Sequence, residues 1–293
     1  MSIWSSYVSA RSVDEALDAL AAPPGPALPV AGGSDLLLEL KQGSRLPVHT
    51  LVDVTAIPEL ARLELRAEGL FIGAAVPLRS VAVSPLVRAH AQAVAEASAL
   101  IGGPQVRSNA TLGGNVAHAL PAADGMIALS AMDARVEIAS AAGRRLEPIL
   151  TLFRGPGESA LRPDRELLVG FYLRPGAAGQ GSAFARVMRP QGVALPILNA
   201  AVFLRREGER IGEIRIVIGP SGPVPRRAAA LEELLTGRRL DEAARAELRE
   251  AIPRSVILRE SLRRAGADYR YRLCAVLLEE VIDSAWTRAG GRE

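Results

Sequence analysis

Lysine and cysteine are almost absent from this 293-residue sequence, which contains one of each, Lys41 and Cys274. A single cysteine excludes a disulfide within the chain and any cluster site that needs several thiolate ligands. Arginine supplies nearly all of the 35 basic residues, and 32 acidic residues are interleaved with them, so the net charge is only +3. This distribution predicts a solvated surface and argues against a nucleic-acid-binding stripe.

Histidines and long apolar segments are also scarce. The three histidines, His49, His90 and His118, are far apart and lack the spacing of metal ligands, so we expect no metal site. The longest apolar run, residues 193–204, contains a proline and an asparagine and is too short to span a bilayer. The first residues lack the basic and apolar regions of a signal peptide. These features predict a cytoplasmic chain with no membrane span.

Two glycine pairs are the most informative features that are present. The first glycine motif is AGGSD, residues 31–35, and the second is ATLGGN, residues 110–115. Adjacent glycines permit positive φ and close approach of a ligand, and successive exposed amides form an anion-binding nest. One such pair is usually a plain turn, and the dinucleotide-binding Gly-x-Gly-x-x-Gly spacing is absent. The two motifs together predict a ligand whose phosphate bridge is held between them.

The first part of the chain alternates predicted helices and strands. A capping box of Ser12 and Glu15 begins the first helix, and Ser34 or Asp35 is predicted to cap the second. Asp124 begins another helix, and its spacing favours a capping role over a bond to a sugar hydroxyl. Helices are predicted at residues 13–20, 36–41, 86–100 and 123–132, and strands at residues 27–30, 51–54, 69–76, 134–139 and 167–173.

The glycine-rich stretch 174–181 is the best candidate for a domain boundary. Beyond it we predict strands at residues 182–188, 195–205 and 211–218, forming a meander with Gly208 in its second turn. Helices are predicted at residues 226–235, 241–251 and 269–286. The apolar face of the last helix is predicted to hold Tyr269, Leu273, Val276, Leu277 and Val281, with Cys274 beside it. Strands followed by helices indicate an α+β second domain.

Over nearly its whole length the sequence resembles the flavoprotein (medium) subunit of the molybdenum-containing hydroxylases, the xanthine dehydrogenase and carbon monoxide dehydrogenase family. The matching segments are AGGSDL (31–36), LVDV (51–54), GLFIGA (69–74), ATLGGNV (110–116), PAAD (121–124), IG (218–219), PRRA (225–228) and ADYR (267–270). The resemblance implies an α+β chain with a PCMH-type (vanillyl-alcohol-oxidase-like) FAD-binding domain at residues 1–176, in subdomains 1–55 and 56–176. A smaller C-terminal α+β domain, a three-stranded antiparallel sheet with helices, would follow at residues 177–293.

The resemblance also implies a non-covalent FAD, with its pyrophosphate held by backbone amides of the two glycine motifs. Asp124 matches a position that hydrogen-bonds the cofactor, and Leu168 matches one that lies against the isoalloxazine ring, although a core leucine is an equally good interpretation. Many members have a lysine and an acidic residue in the segment that corresponds to residues 183–196, where this chain has Arg186, Arg189 and Ala194. The predicted cofactor-binding residues are Ala31, Gly32, Gly33, Ser34, Asp35, Thr111, Gly113, Gly114, Asn115, Asp124, Leu168 and Arg186.

In this family a large subunit holds the molybdenum cofactor and a small subunit holds [2Fe–2S] clusters. The chain would then pass electrons from those clusters through FAD to an external acceptor, NAD⁺, oxygen or a quinone. No catalytic side chain is predicted, because the sequence offers no acid–base pair or nucleophile near the motifs. Two alternatives remain open. One is a free-standing flavin oxidase, although His118 is better interpreted as a packed or solvent-facing neutral residue than as a flavin tether. The other is a flavin-free nucleotide-binding or assembly protein.

Overall fold

A computed structural model describes residues 3–22, 24–188, 195–258 and 265–290. The strands are β1 (Ser6–Ser9), β2 (Ala27–Val30), β3 (Thr50–Asp53), β4 (Leu63–Arg66), β5 (Gly69–Gly73), β6 (Arg135–Ser140), β7 (Gly143–Pro148), β8 (Phe153–Gly155), β9 (Glu158–Ser159), β10 (Glu166–Leu173), β11 (Gln180–Val187), β12 (Leu198–Glu207) and β13 (Arg210–Gly219). The helices are α1 (Val13–Ala21), α2 (Leu36–Gln42), α3 (Leu78–Val83), α4 (Pro85–His90), α5 (Gln92–Leu100), α6 (Pro104–Asn109), α7 (Leu112–Ala117), α8 (Asp124–Ala131), α9 (Ala229–Leu235), α10 (Glu242–Ser255) and α11 (Ala267–Ala289). Among these helices none is long and apolar enough to cross a membrane.

The first layer is a parallel three-stranded sheet in the order β1-β3-β2. The predicted capping box is confirmed at its first helix, since Ser12 Oγ accepts the Glu15 N–H and the Glu15 carboxylate accepts the Arg11 N–H. The apolar side chains of α1 are buried at helical spacing, as predicted, and pack against the interior of this sheet. Strand β2 ends directly at the first glycine motif, so the sheet edge positions that motif.

The second layer is a five-stranded antiparallel sheet in the order β4-β5-β10-β6-β7. Strand β5 ends at Gly73, three residues before the predicted end, because Ala74 and Val76 turn their carbonyls toward the second glycine motif. The predicted helix at residues 86–100 is two helices. Ala91 separates α4 from α5 with non-helical backbone angles, φ −150° and ψ 57°, so the chain changes direction there.

The third layer confirms the predicted three-stranded antiparallel meander, β11-β12-β13. Gly208 forms its second turn with φ +60°, a conformation that glycine adopts without strain. Alternate side chains point to opposite faces of this sheet. One face belongs to the core of the first part of the chain and the other packs against α9, α10 and α11, so both faces are buried. The apolar side chains on the first face are Phe184, Ala201, Phe203 and Val217.

Helix α11 has the predicted position, and two residues predicted on its apolar face, Leu277 and Val281, are buried. The prediction was wrong for Tyr269 and Val276, which are 45% and 67% exposed, and Cys274 lies within the buried stripe. The buried stripe begins at Arg270, which is 1% exposed, and an arginine gives no apolar signal from which the helix phase could be predicted. Burial raises the pKa of the Cys274 thiol to about 12.

Candidate functional site

The first glycine motif lies between β2 and α2 and presents unpaired backbone amides. Among the described residues no acceptor bonds the N–H groups of residues 31–35, and these residues are partly or fully exposed. Gly33 has φ +66°, which turns successive amides toward the same side. The side-chain cap predicted for α2 is not formed. Asp35 occupies the N-cap of α2 in a helical conformation, but its side chain makes no capping bond.

The second glycine motif, for which no helix was predicted, forms the start of α7. Thr111 is the N-cap, and its hydroxyl accepts the Gly114 N–H at 3.1 Å. The N–H groups of Leu112 and Gly113 are bonded to the carbonyls of Val76 and Ala74, at 3.3 and 3.0 Å. The amides of Leu112, Gly113 and Gly114 are therefore paired inside the protein, in contrast to those of the first motif. Glycine is required at 113 for packing, since a Cβ there would lie 2.5 Å from the Ala74 oxygen.

The fold brings the two motifs into contact, although more than seventy residues separate them in the sequence. A Cβ on Gly32 would lie 2.2 Å from the Asn109 carbonyl oxygen and 2.7 Å from the Ala110 Cα. A side chain at position 32 would therefore push the motifs apart. This contact places the unpaired amides of the first motif beside the N-terminus of α7.

His118, at the end of α7, ties the same two segments together through side chains. Its Nε2 lies 2.7 Å from Glu39 Oε1 on α2, and its Nδ1 lies 3.7 Å from Asp35 Oδ2. Partial burial by itself would raise the pKa of Glu39, but hydrogen bonds from Arg45 and His118 leave the pKa below its ordinary value. His118 is thus neither packed in an apolar core nor simply solvent-facing, as the sequence had suggested. It is a polar link between α7 and α2.

Asn115 connects α7 to the start of α8. Its Oδ1 is buried and has no hydrogen-bond partner among the described residues. That atom would lie 2.7 Å from a Cβ built on Gly125, the residue after Asp124. Glycine at 125 therefore lets the two helices approach, and the second motif abuts the segment that carries Asp124.

Asp124 is buried, with 4% of its surface exposed, and it links the first part of the chain to the C-terminal sheet. Its Oδ2 accepts a hydrogen bond from Arg186 Nη1 of β11 at 2.5 Å, and its Oδ1 accepts one from Asn199 Nδ2 of β12 at 2.6 Å. Asn199 also donates to the Ala122 carbonyl at 3.1 Å. The capping role favoured by spacing is wrong, because Ala123 is the N-cap and the carboxylate turns to these two side chains.

The charge state of this pair follows from its surroundings. Burial raises the pKa of Asp124 above its ordinary range, while Arg186 and Asn199 act in the opposite direction by favouring the carboxylate. The Arg186 side chain is only 7% exposed, so little solvent screens the pair. The arrangement provides a preformed polar group at the junction of α8, β11 and β12.

The remaining predicted residues are placed as follows. Leu168 is 7% exposed on β10, a strand that contacts α7, and its side chain belongs to the large apolar core. Arg189 and Ala194 lie outside the described residues. Within the described ranges no three potential ligand residues come together as a metal site. Sequence reasoning missed Asn199, whose only signal was a polar residue inside the apolar run at 193–204.

These observations fit a ligand with a pyrophosphate group. An anion needs donors that are not already used, and the first motif supplies them beside a helix N-terminus. The absence of a side chain at Gly32 lets the two motifs come together, and its absence at Gly113 lets the start of α7 pack against Ala74. The residues present are therefore compatible with the FAD that the sequence resemblance implies.

Comparison with known proteins identifies the family of the chain. The family model for the FAD binding domain in molybdopterin dehydrogenase matches residues 3–173, and that for the CO dehydrogenase flavoprotein C-terminal domain matches residues 182–285. The xanthine dehydrogenase FAD-binding subunit of Escherichia coli O157:H7 is 30% identical over 99% of this chain and 98% of its own. The carbon monoxide dehydrogenase medium chain of Hydrogenophaga pseudoflava is 29% identical over 96% of this chain and 97% of its own.

Solved structures give the same result. A carbon monoxide dehydrogenase from Hydrogenophaga pseudoflava superposes with a TM-score of 0.89 and 30% identity, covering 97% of this chain and 98% of that chain. Quinoline 2-oxidoreductase from Pseudomonas putida 86 superposes with a TM-score of 0.88 and 27% identity, covering 98% of each chain. Both domains and their order are thus shared with these oxidoreductase subunits. The chain belongs to the FAD-binding medium subunits of the molybdenum-containing hydroxylases, the family of xanthine dehydrogenase and carbon monoxide dehydrogenase.

Proposed function

We propose that this chain is the electron-transfer flavoprotein subunit of a molybdenum hydroxylase complex and that it binds FAD across the two glycine motifs. The observation that carries the proposal is the row of unpaired amides at residues 31–35. These amides would hold the pyrophosphate, with the Thr111 hydroxyl and the Asn115 side chain beside them. The absence of side chains at four glycines would let the pyrophosphate approach the backbone of the two motifs. These glycines are Gly32, Gly33, Gly113 and Gly114.

The ring end of the cofactor would lie toward Leu168 and the Asp124–Arg186 pair. Leu168 would supply an apolar contact, and the pair would supply a cation and a hydrogen-bonding carboxylate at the ring or ribityl edge. Arg186 stands in the segment where many members have a lysine, and it is fixed by the bond to Asp124. Asn199 would act as a positioning residue, because it holds the second oxygen of that carboxylate.

Bound FAD would accept electrons from [2Fe–2S] clusters on a small partner subunit and deliver them to an external acceptor such as NAD⁺, oxygen or a quinone. A large partner subunit would oxidise the substrate at its molybdenum centre. The protein side chains described here would bind and orient the flavin and would transfer no protons to substrate. The division into residues 1–176 and 177–293 and a cytoplasmic location are parts of the same proposal.

The deciding experiment is anaerobic mixing of the FAD-loaded chain with candidate substrates while flavin absorbance is followed. We expect no bleaching by a purine, an aldehyde, an aromatic acid or carbon monoxide until the large and small subunits are added. Rapid bleaching by the chain alone would overturn the proposal and favour a free-standing flavin oxidase. A protein isolated from its native complex without flavin would favour the flavin-free alternative. Flavin that remains on the polypeptide after acid precipitation would contradict non-covalent binding.

A further inference from the structure

Three arginines on neighbouring helices line a surface groove of about 550 Å³. Arg79 lies on α3, Arg88 on α4 and Arg107 on α6, and none of them forms an ion pair with any described residue. Arginines elsewhere are usually paired: Arg144 bonds Glu59, and Arg245 bonds Asp283. No acidic side chain among the described residues lines the groove. The groove is therefore a local concentration of positive charge without internal compensation.

Two of these guanidinium groups are held in place by the backbone. Arg88 Nε donates to the Ala82 carbonyl at 3.1 Å, and Arg107 Nη1 donates to the carbonyls of Ile101 and Gly102 at 3.2 and 2.6 Å. These bonds use one side of each planar group and leave other N–H donors available. A guanidinium with a fixed orientation loses less entropy when it binds a carboxylate, so the groove is prepared for an anionic partner.

Apolar side chains around the groove indicate the size of that partner. Val83, which lines the groove, is 58% exposed, and Leu100 and Val106, adjacent in sequence to lining residues, are each 39% exposed. Arginine combined with exposed apolar side chains is the composition of protein–protein interfaces. A small free anion would leave these apolar side chains in water, whereas a protein segment would cover them.

The groove also lies next to the flavin site. Helix α6 ends at Asn109, whose carbonyl contacts the first glycine motif at Gly32. We propose that the groove docks an acidic segment, one that combines aspartate or glutamate with apolar residues, on a partner subunit of the complex. The inference rests on the proposed function, since it requires that function's partners. It adds that one of them is anchored beside the cofactor by charge complementarity.

The test compares assembly of the FAD-loaded parent with a triple variant, Arg79→Gln, Arg88→Gln and Arg107→Gln. Each protein is titrated with the separately purified large and small subunits, and the dissociation constant is measured at low and high salt. We expect the triple variant to bind one subunit about tenfold more weakly at low salt. We also expect it to lose most of the salt dependence of the parent, because the lost contacts are screened charges.

A matched control triple, Arg154→Gln, Arg239→Gln and Arg254→Gln, makes the same change in net charge at exposed arginines that form no ion pair with described residues. It should assemble like the parent. The docking proposal is overturned if the groove variant assembles within about twofold of the parent, if the control weakens equally, or if the groove variant loses FAD. A parent chain that fails to assemble would instead refute the proposed function, and the docking proposal with it.

Discussion

The buried pair of Asp124 and Arg186 allows a quantitative test of how the two halves of the molecule are joined. Asp124→Asn leaves a cation with a 7% exposed side chain opposite a neutral amide. Arg186→Met keeps the aliphatic stem but leaves the carboxylate with Asn199 as its remaining partner. Each single change should lower the free energy of unfolding by about 3–5 kcal/mol, because each strands a buried charge.

The double variant should be less destabilised than the sum of the single variants, because it buries no unpaired charge. We expect a coupling energy of about 2 kcal/mol or more in the double-mutant cycle. Urea unfolding followed by tryptophan fluorescence gives the required free energies. The two tryptophans, Trp4 and Trp286, lie near β1 and within α11, so the signal reports on both ends of the structure.

The two single variants should also differ in how their stability depends on pH. Burial already raises the pKa of Asp124, and loss of the Arg186 cation should raise it further. A carboxyl with a raised folded-state pKa destabilises the protein above that pKa, and the penalty fades as the pH falls toward the unfolded value of about 3.9. The cost of Arg186→Met should therefore shrink from neutral to mildly acidic pH. The cost of Asp124→Asn should instead grow, because the parent gains stability as Asp124 is protonated and the variant has no such group. Additive single changes, or a pH-independent cost of Arg186→Met, would refute this account of the pair.

Three further predictions concern the glycine motifs and the cysteine. Gly33→Ala should reduce bound FAD. Its control, Gly43→Ala, has a similar positive φ and no atom near the new Cβ, so it should lose only about 1 kcal/mol of stability and keep the flavin. Equal flavin content in both variants would show that Gly33 is not part of the site. Gly114→Val should keep the fold, since a Cβ there meets only the Thr111 hydroxyl at 3.2 Å, and it should lower the affinity for FAD. Unchanged affinity in a fluorescence titration would show that FAD does not approach this position. Cys274, buried and with a pKa of about 12, should resist a thiol reagent in the native protein and react once after unfolding; fast native labelling would contradict its burial.

Much of the fold was accessible from the sequence because local patterns and tertiary packing agree there. The capping box at Ser12, the alternation along β13 and the turn at Gly208 each have a local cause. Helix α7 had no such signal, since two adjacent glycines disfavour a helix. It forms because the carbonyls of Ala74 and Val76, distant in sequence, accept its first amides.

The candidate site was predicted as a set of segments rather than as a geometry. The sequence identified the two glycine motifs and Asp124, but spacing assigned Asp124 to a helix cap. The partners that redirect it, Arg186 and Asn199, come from strands more than sixty residues away. Pairings between distant side chains leave no periodic trace in the sequence, so only the structure identifies them.

The C-terminal sheet, buried on both faces, has a consequence for how the molecule can be divided. Its side chains Phe184, Ala201, Phe203 and Val217 complete the core that begins in the first part of the chain. A fragment ending at residue 176 would expose the core residues that these four side chains cover. The remaining fragment would expose the four side chains themselves, so each fragment should aggregate. The two halves therefore are not exchangeable modules. A chimera that takes its C-terminal half from a relative would keep this apolar contact filled only if these four residues of the present chain were kept together in the transplanted half.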